Sequence, residues 1–549
     1  MIRIVILGGG IGGVPAAYLA KALLGTAAYI TVISDKEYFN FVPSNPWVAM
    51  GLRSFDDVAF PIEPYLGAHR VRFLPFAAAR IEAEKNLIVL SNGEIENYDY
   101  LIVATGAEPA FDEVPGLGPN GNTHSVIHIE QAIEAHDAYQ KFIGNPGPIV
   151  IGAAANASIL GPLYEFAFLV DADLRQRGLR ERASITVVTP EPYVGHLGLG
   201  LASDTRQLLE DALHTSDIKA ICNVRTERVE AGQILISEVG PQSGGGIRHV
   251  LPFNFSVYWP TFRGVAALRE SSAGLIDERG FVRVDEFLRN PAFPNIYAVG
   301  ICVARPPLHD TPVGIGVPAS VYSIQKEMEA AVKNLVAAFA GKALTSAVPQ
   351  RAEWLNDVGD LGARYLSEPK IPLRNINWLA EGKWVTQAKV EFENYFLDHI
   401  KTGPQNTGPE GEGFVAFALD TIQKERMKDP VPRPVTATTM TLPVPLQRDV
   451  YNELRALAKV MNREPIDIAT QLLEAVIYDT KLQINELLLA EVEQARRDLV
   501  LSDIASSQPR GGSGQGSKLR DHSNADPLAQ LGAGPNLEVN ITANQKPSN

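Results

Sequence analysis

The stretch IRIVILGGGIGG, residues 2–13, decides the fold. Ile2 to Leu7 is an aliphatic, β-branched run of strand length that passes straight into Gly8, Gly10 and Gly13, and the helical stretch Val14 to Leu24 follows at once. Each glycine has a physical job. Gly8 permits the tight turn, Gly10 lets a pyrophosphate approach the backbone, and Gly13 lets the helix pack on the strand. The helix N-terminus, with its unpaired N–H groups, then stabilises the phosphates. Asp35, at the end of the next strand AYITVIS and about 20 residues downstream, is placed for a ribose hydroxyl, with Ser34 beside it.

Outward from this motif, residues 1 to about 400 alternate short β-branched runs with amphipathic stretches and glycine turns, the pattern of parallel sheets covered by helices. YDYLIVATGAEP at 98–109 resembles the ATG segment of the two-dinucleotide-fold flavoproteins, and NIYAVG at 295–300 resembles their late strand that returns to the flavin. That resemblance implies FAD rather than NAD in the first fold, held by Gly8, Gly10, Gly13, Ser34, Asp35, Thr105, Gly106, Gly300 and Tyr322. The family often has Asp after the last glycine, where this chain has Ile301. The expected class is α/β: two Rossmann-like dinucleotide-binding folds, a small helical C-terminal domain and a disordered tail.

The boundaries follow. Residues 1–110 and 280–345 form the FAD-binding fold, and 111–279 a second nucleotide-like fold. Residues 346–401 close the flavoprotein body, 402–437 are a Gly/Pro-rich linker, 438–505 a small domain, and 506–549 a Ser/Gly/Asn/Pro-rich tail with little to bury. In the second fold the glycine positions of GPIVIGAAANASILGP are occupied by Gly152, Ala154 and Ala157, so methyl groups stand where a pyrophosphate would approach. SITVVTPEPY then ends in Thr189 and Pro190 without a well-placed acid for the ribose. This argues against NAD(P)H and against a type II NADH dehydrogenase.

A closer resemblance runs over residues 1 to about 400. YFNFVPSNPWVAMG (38–51), GPIVIGAAANASILGPLYEFAF (147–168), VTPEPYVGHLGLG (188–200), TPVGIGVPASVYSIQKEM (311–328) and IPLRNINWLAEGKWVTQAKVEFENYF (371–396) are similar to the sulfide:quinone oxidoreductases. In that family a cysteine bridge takes electrons from sulfide, chemistry that needs thiolates of adjustable pKa. The family's cysteine positions fall here on Ile127, Ile159 and Trp354. The two cysteines present, Cys222 and Cys302, do not replace them by register and read as packing, although Cys302 follows Gly300 closely. Glu165 and His196 align with residues near the family's sulfur site and could donate or accept protons. The alternative is a helix-pairing Glu165 and a satisfied core His196. Ala319 stands where the family usually has Lys. Trp378, Trp384, Phe392, Tyr395 and Phe396 resemble the family's quinone pocket, though aromatics at such spacings also build ordinary cores.

The chain carries 49 Lys and Arg against 63 Asp and Glu, a net charge of −14, which opposes non-specific binding to nucleic acid or anionic lipid. Two distant cysteines suggest no disulfide framework and no metal site. No secretory leader pattern and no spanning run is legible, so the expected location is cytoplasmic, with at most peripheral contact at the inner face of the membrane. TTMTLPVPLQRDVYNELRALAKVMNREPIDIATQLLEAVIYD, from Thr438, resembles a ribbon-helix-helix domain, implying a homodimer or higher oligomer. Its acidic residues outnumber Arg448, Arg455, Lys459 and Arg463, which counts against DNA binding. The sequence thus predicts an FAD-dependent oxidoreductase without the cysteine relay, linked to quinone or another non-nicotinamide acceptor. Its alternative is a catalytically degenerate flavin-binding sensor or scaffold.

Overall fold

The computed structural model describes residues 1–199, 203–239, 247–308, 310–317, 319–345, 352–357, 362–368, 376–403, 437–445 and 536–544. Two parallel sheets organise the body. In the first, the strand order along the sheet is Ile296–Ala298, Tyr100–Val103, Ile2–Leu7, Ala28–Ile33, Arg72–Leu74. The strand Ile2–Leu7 is therefore central, with Ala28–Ile33 on one side and Tyr100–Val103 on the other. Successive side chains of a strand point to opposite faces, and both faces are buried here. Ile4 and Ile6 join the core that holds Val14, Ala17 and Tyr18 of the helix Gly13–Leu24, while Val5 and Leu7 join a separate core with Leu101, Val103 and Cys302. The chain reverses direction of travel across the sheet at this central strand. Open α/β sheets bind ligands at such a switch point, outside the carboxyl ends of the strands.

The second sheet, ordered Ile218–Ile221, Ile185–Val188, Ile149–Ala153, Phe255–Trp259, is also parallel throughout. It repeats the same logic. Ile149, Ile151 and Ala153 enter one core with the helix Gly161–Gln176, and Val150 enters another with Tyr258 and the antiparallel strands Val224–Glu230 and Gln233–Glu238. Three antiparallel strands, Ala352–Asp357, Gly362–Glu368 and Ile376–Gly382, then lead into the helix Lys383–Thr402. That helix packs back on the first fold. Phe392, Phe396, Leu397 and Ile400 share its core, and the Tyr18 hydroxyl donates to the Ile400 carbonyl at 2.8 Å.

Pro241–Gly244 and Val431–Asn549 form a separate compact unit. Within it Ala437–Pro445 pairs antiparallel with Asn536–Asn544. The strand Asn536–Asn544 lies within the segment 506–549 that the sequence reads as a disordered tail. The tail's average composition is poor in apolar residues, yet Leu537, Val539 and Ile541 alternate at strand period. They stand in register opposite Val444, Leu442 and Met440. The strand of the ribbon-helix-helix-like segment thus has a partner in its own chain. The helices expected beyond it, around Leu454–Val476, lie outside the described residues. Among the described residues no helix is long and apolar enough to cross a membrane.

Candidate flavin site

The glycine turn has the geometry that its sequence implies. Gly8 adopts φ +118°, a value that L side chains avoid, and a Cβ there would meet the Ala104 carbonyl oxygen at 2.2 Å. A Cβ on Gly13 would fall 1.9 Å from the Gly8 carbonyl oxygen, whereas one on Gly10 would meet nothing within 4 Å. Two of these glycines are demanded by packing. Gly10 is demanded by neither packing nor conformation, and it faces open space where a phosphate fits. That space is part of a cavity of about 760 Å³. Gly8, Gly10, Ser34, Asp35, Thr105, Gly106, Gly300 and Tyr322 line it, and Gly13 lies behind the turn, where its role is steric.

Ser34 Oγ accepts from the Lys36 amide at 3.1 Å, bending the chain so that Asp35 reaches the cavity rim. Three neighbours went unnoticed in the sequence. Lys36 Nζ lies 3.1 Å from Glu130 Oε1, and the Tyr38 hydroxyl donates to the same carboxylate, joining the first fold to the helix Ile129–Phe142 beside the cavity. Pairs more than ninety residues apart leave no local signal. At Gly300, where Ile301 replaces the family's Asp, the backbone N–H donates to buried Glu327 at 3.1 Å, and Arg305 pairs with the same carboxylate at 2.6 Å. The glycine turn is held from behind by the helix Val321–Phe339.

The same cavity is also lined by Ile127, Ile159, Glu165, Ala319, Phe41, Lys389 and Phe392. Two of the positions where the resemblance implies thiols therefore do meet in one space, and both are aliphatic. Trp354 lies on the strand Ala352–Asp357, but its side chain is outside the described residues. Neither cysteine lines the cavity. Cys302 is sealed from solvent with its thiol donating to the Val299 carbonyl at 3.1 Å, and burial pushes it up to about 11. Burial raises the Cys222 thiol well beyond its ordinary range too. Both are kept as neutral thiols, poor nucleophiles and poor redox groups.

Glu165 forms a buried ion pair with Lys389, their side chains 2% and 4% exposed. Lys389 was missed by sequence reading, because a lone Lys on a helix reads as surface. The Lys389 Nζ also lies 4.4 Å from the Trp47 ring centroid, a cation–π distance. Phe41 and Phe392 meet edge to face with centroids 5.6 Å apart. Of the other aromatics expected there, Phe396 packs between Phe39 and Phe41 inside the core, and Tyr395 is 38% exposed and stacks on His399. Neither lines the cavity. Trp378 lies on the strand Ile376–Gly382, its side chain and that of Trp384 outside the described residues. Phe392 is thus the member of that set found at the site.

The structure places His196 outside this lining. It does not line the cavity with Glu165; its Nδ1 accepts from the Gly198 amide at 3.2 Å and its ring meets Tyr193 edge to face. The adjacent residues Tyr164 and Glu165 diverge by about 100° on their helix. Glu165 faces the cavity, while Tyr164 faces the loop that carries His196, where its hydroxyl donates to Glu191.

Glu191 is the acid absent from the sequence reading of the second fold. It lies just past the strand end, but it is buried, accepting from Thr189 Oγ1 at 2.7 Å and from the Leu197 amide at 2.7 Å. It braces the loop from within and offers no carboxylate to a ribose. The Tyr258 ring lies where a Cβ on Gly152 would stand, 2.2 Å away, and Ala154 and Ala157 are buried. Burial outweighs the hydrogen bonds and raises the Glu191 carboxyl to about 7. Between its ordinary 4.5 and about 7 the folded protein keeps a proton that the unfolded chain has released, so stability declines as pH rises across this window. At 1.36 kcal/mol per pH unit the loss is about 3 kcal/mol. Denaturant unfolding of the wild type and of Glu191→Gln at pH 5 and pH 8 should differ in slope with pH, the variant being flatter. Equal slopes would refute the assignment.

The model of the pyridine nucleotide-disulphide oxidoreductase family matches residues 2–326. The sulfide-quinone reductase of Aquifex aeolicus is 33% identical over 413 residues, covering 75% of this chain and 93% of the relative. The X-ray structure of the sulfide:quinone oxidoreductase from that bacterium superposes with a TM-score of 0.72 at 32% identity, covering 76% of this chain and 95% of the other. NDH2 of Plasmodium falciparum in complex with NADH shares the fold alone, with a TM-score of 0.57 at 15% identity over 77% and 98% of the two chains. The glycine turn with its open face at Gly10, the returning Gly300 and a cavity that runs from one to the other fit FAD. The chain belongs to the pyridine nucleotide-disulphide oxidoreductase family and, within it, to the sulfide-quinone reductase group, as an FAD-dependent oxidoreductase.

Proposed function

We propose that this oxidoreductase passes electrons from a donor other than sulfide to a quinone, without a cysteine persulfide relay. The observation that carries the reading is the pairing of Ile127 and Ile159 in a cavity that holds no thiol among its described lining but keeps Lys389, Glu165, Phe41 and Phe392. FAD, when bound, supplies the two-electron carrier between donor and acceptor. The protein supplies the rest. Phe41 and Phe392 present apolar rings against which a flat acceptor packs. Reduction of a quinone to a quinol takes up two electrons and two protons, and the Lys389 ammonium, paired with Glu165, is a proton donor at the cavity wall. Ile127 and Ile159 exclude water and offer an apolar wall to the donor. Val42, exposed at the cavity lining, suits peripheral contact with a membrane that carries the quinone.

Anaerobic addition of sulfide, NADH and a reduced quinone, each to separate samples of the purified yellow protein, tests this. Quinol is expected to bleach the flavin, with sulfide and NADH at least 100-fold slower, a ratio of the order lost with an essential catalytic group. Rapid bleaching by sulfide would reinstate a relay; rapid bleaching by NADH would reinstate the second nucleotide site. Inertness to all three favours the second reading, a flavin-binding sensor or scaffold. The separate C-terminal unit with its paired strands supports that reading, as the seat of dimerisation or regulation.

A further inference from the structure

The Lys389–Glu165 pair is not isolated. Trp47, from the helix Asn45–Ala49, has the Lys389 ammonium 4.4 Å from its ring centroid and the Arg53 guanidinium 4.6 Å from it. One ring thus serves two cations. Arg53 is in turn held by Glu393 at 2.8 Å, and the same carboxylate accepts from the Ser44 hydroxyl. Glu393 lies one helical turn beyond Lys389 on the helix Lys383–Thr402, with its side chain 3% exposed. Two buried carboxylates therefore balance two cations at a single indole. Burying Lys389, Glu165 and Glu393 beside a partly exposed Arg53 is expensive.

The geometry points to Trp47 and Glu393 as positioning residues for Lys389. The ring holds the ammonium against Glu165 at the cavity, and Glu393 neutralises Arg53 so that the second cation at the ring does not repel the first. The inference rests on the proposed role of Lys389 as proton donor to a quinone, and it adds residues that lie outside the cavity lining. Among the described residues, the charged groups near Lys389 are Glu165 from the helix Gly161–Gln176, Arg53 at the same ring, and Glu393 on its own helix. Loss of the ring, or of the Glu393 charge, removes attraction for the ammonium and favours the neutral amine. Both changes act in the same direction.

The test uses full-length, flavin-loaded protein, reduced with dithionite and reoxidised by a soluble short-chain quinone in a stopped-flow instrument across pH 6 to 10. For Trp47→Leu and Glu393→Gln the alkaline limb of the rate profile should move down by about half to one pH unit, the worth of one cation–π contact. The rate at neutral pH should fall by about three- to tenfold with little change in quinone KM. Trp47→Phe, which keeps a ring face, should recover most of the loss. A uniform fall with an unmoved limb, or no recovery with Phe, would overturn the inference. A second readout needs no activity. In a denaturation cycle, Trp47→Leu should destabilise the wild type more than it destabilises Lys389→Met, since the shared contact is already gone there. Additivity would overturn the inference by itself. If wild-type protein is not reoxidised by the quinone, the proposed function fails while this cycle still decides the positioning.

Discussion

A Gly10→Leu variant is expected to purify folded and colourless. The side chain would enter the cavity without touching the protein, since a Cβ at Gly10 has no neighbour within 4 Å, but it would occupy the path of the pyrophosphate. Fold and cofactor binding are therefore separable at this position. At Gly13 they are not: a Cβ 1.9 Å from the Gly8 carbonyl oxygen must push helix from strand, so Gly13→Ala should lose both flavin and stability. The comparison needs an absorbance ratio for flavin content and a far-ultraviolet dichroism melt. We expect flavin affinity to fall by at least about 100-fold for Gly10→Leu, given the several phosphate hydrogen bonds removed, with the melt of the protein stripped of flavin unchanged. Full flavin retention in Gly10→Leu would remove the central assignment.

The second large effect is expected at the buried pair. Lys389→Met leaves the Glu165 carboxylate without its ammonium in a wall that is almost closed to water, and breaking a buried pair from one side costs about 3–5 kcal/mol. Replacing both, as Lys389→Met with Glu165→Leu, removes the stranded charge and should return most of the stability. Activity should not return with it. If Lys389 donates the proton, both variants should lose at least about 100-fold in quinone-dependent turnover, the usual contribution of general acid catalysis. Denaturant midpoints and turnover, measured on the same preparations, separate the two roles. Recovery of turnover in the double variant would sink the proton-donor reading.

Much of the site was legible in residues close together in the chain. Gly8, Gly10 and Gly13 are a local device, because strand, turn and helix N-terminus follow one another within a dozen residues. Thr105, Gly106 and Gly300 were legible for the same reason, each closing a strand that runs into the crevice. The pairs made across the chain were not. Lys389 meets Glu165 over 224 positions, and Tyr38 meets Glu130 over 92. Glu191 was passed over because an acid three residues beyond a strand looks like a solvated turn, whereas three donors enclose it here. His196 was drawn into the site by its register, whereas its ring lies against Tyr193 in the loop that Tyr164 and Glu191 brace. The strand Asn536–Asn544 was lost in the average of a polar segment.

The sequence by itself determined the class of the protein: hydrophobic period and glycine spacing are properties of neighbours, so two parallel sheets and a dinucleotide turn could be read without coordinates. It also shows isoleucines at 127 and 159, which cannot act as thiols wherever they lie. Only the tertiary structure decided that these two positions share a cavity, that Cys302 is sealed beneath the sheet rather than facing the flavin site, and that a helix near residue 390 brings a lysine to Glu165. The physical reason is that charge pairing and burial are set by distances through space, which chain separations of hundreds of residues do not encode locally.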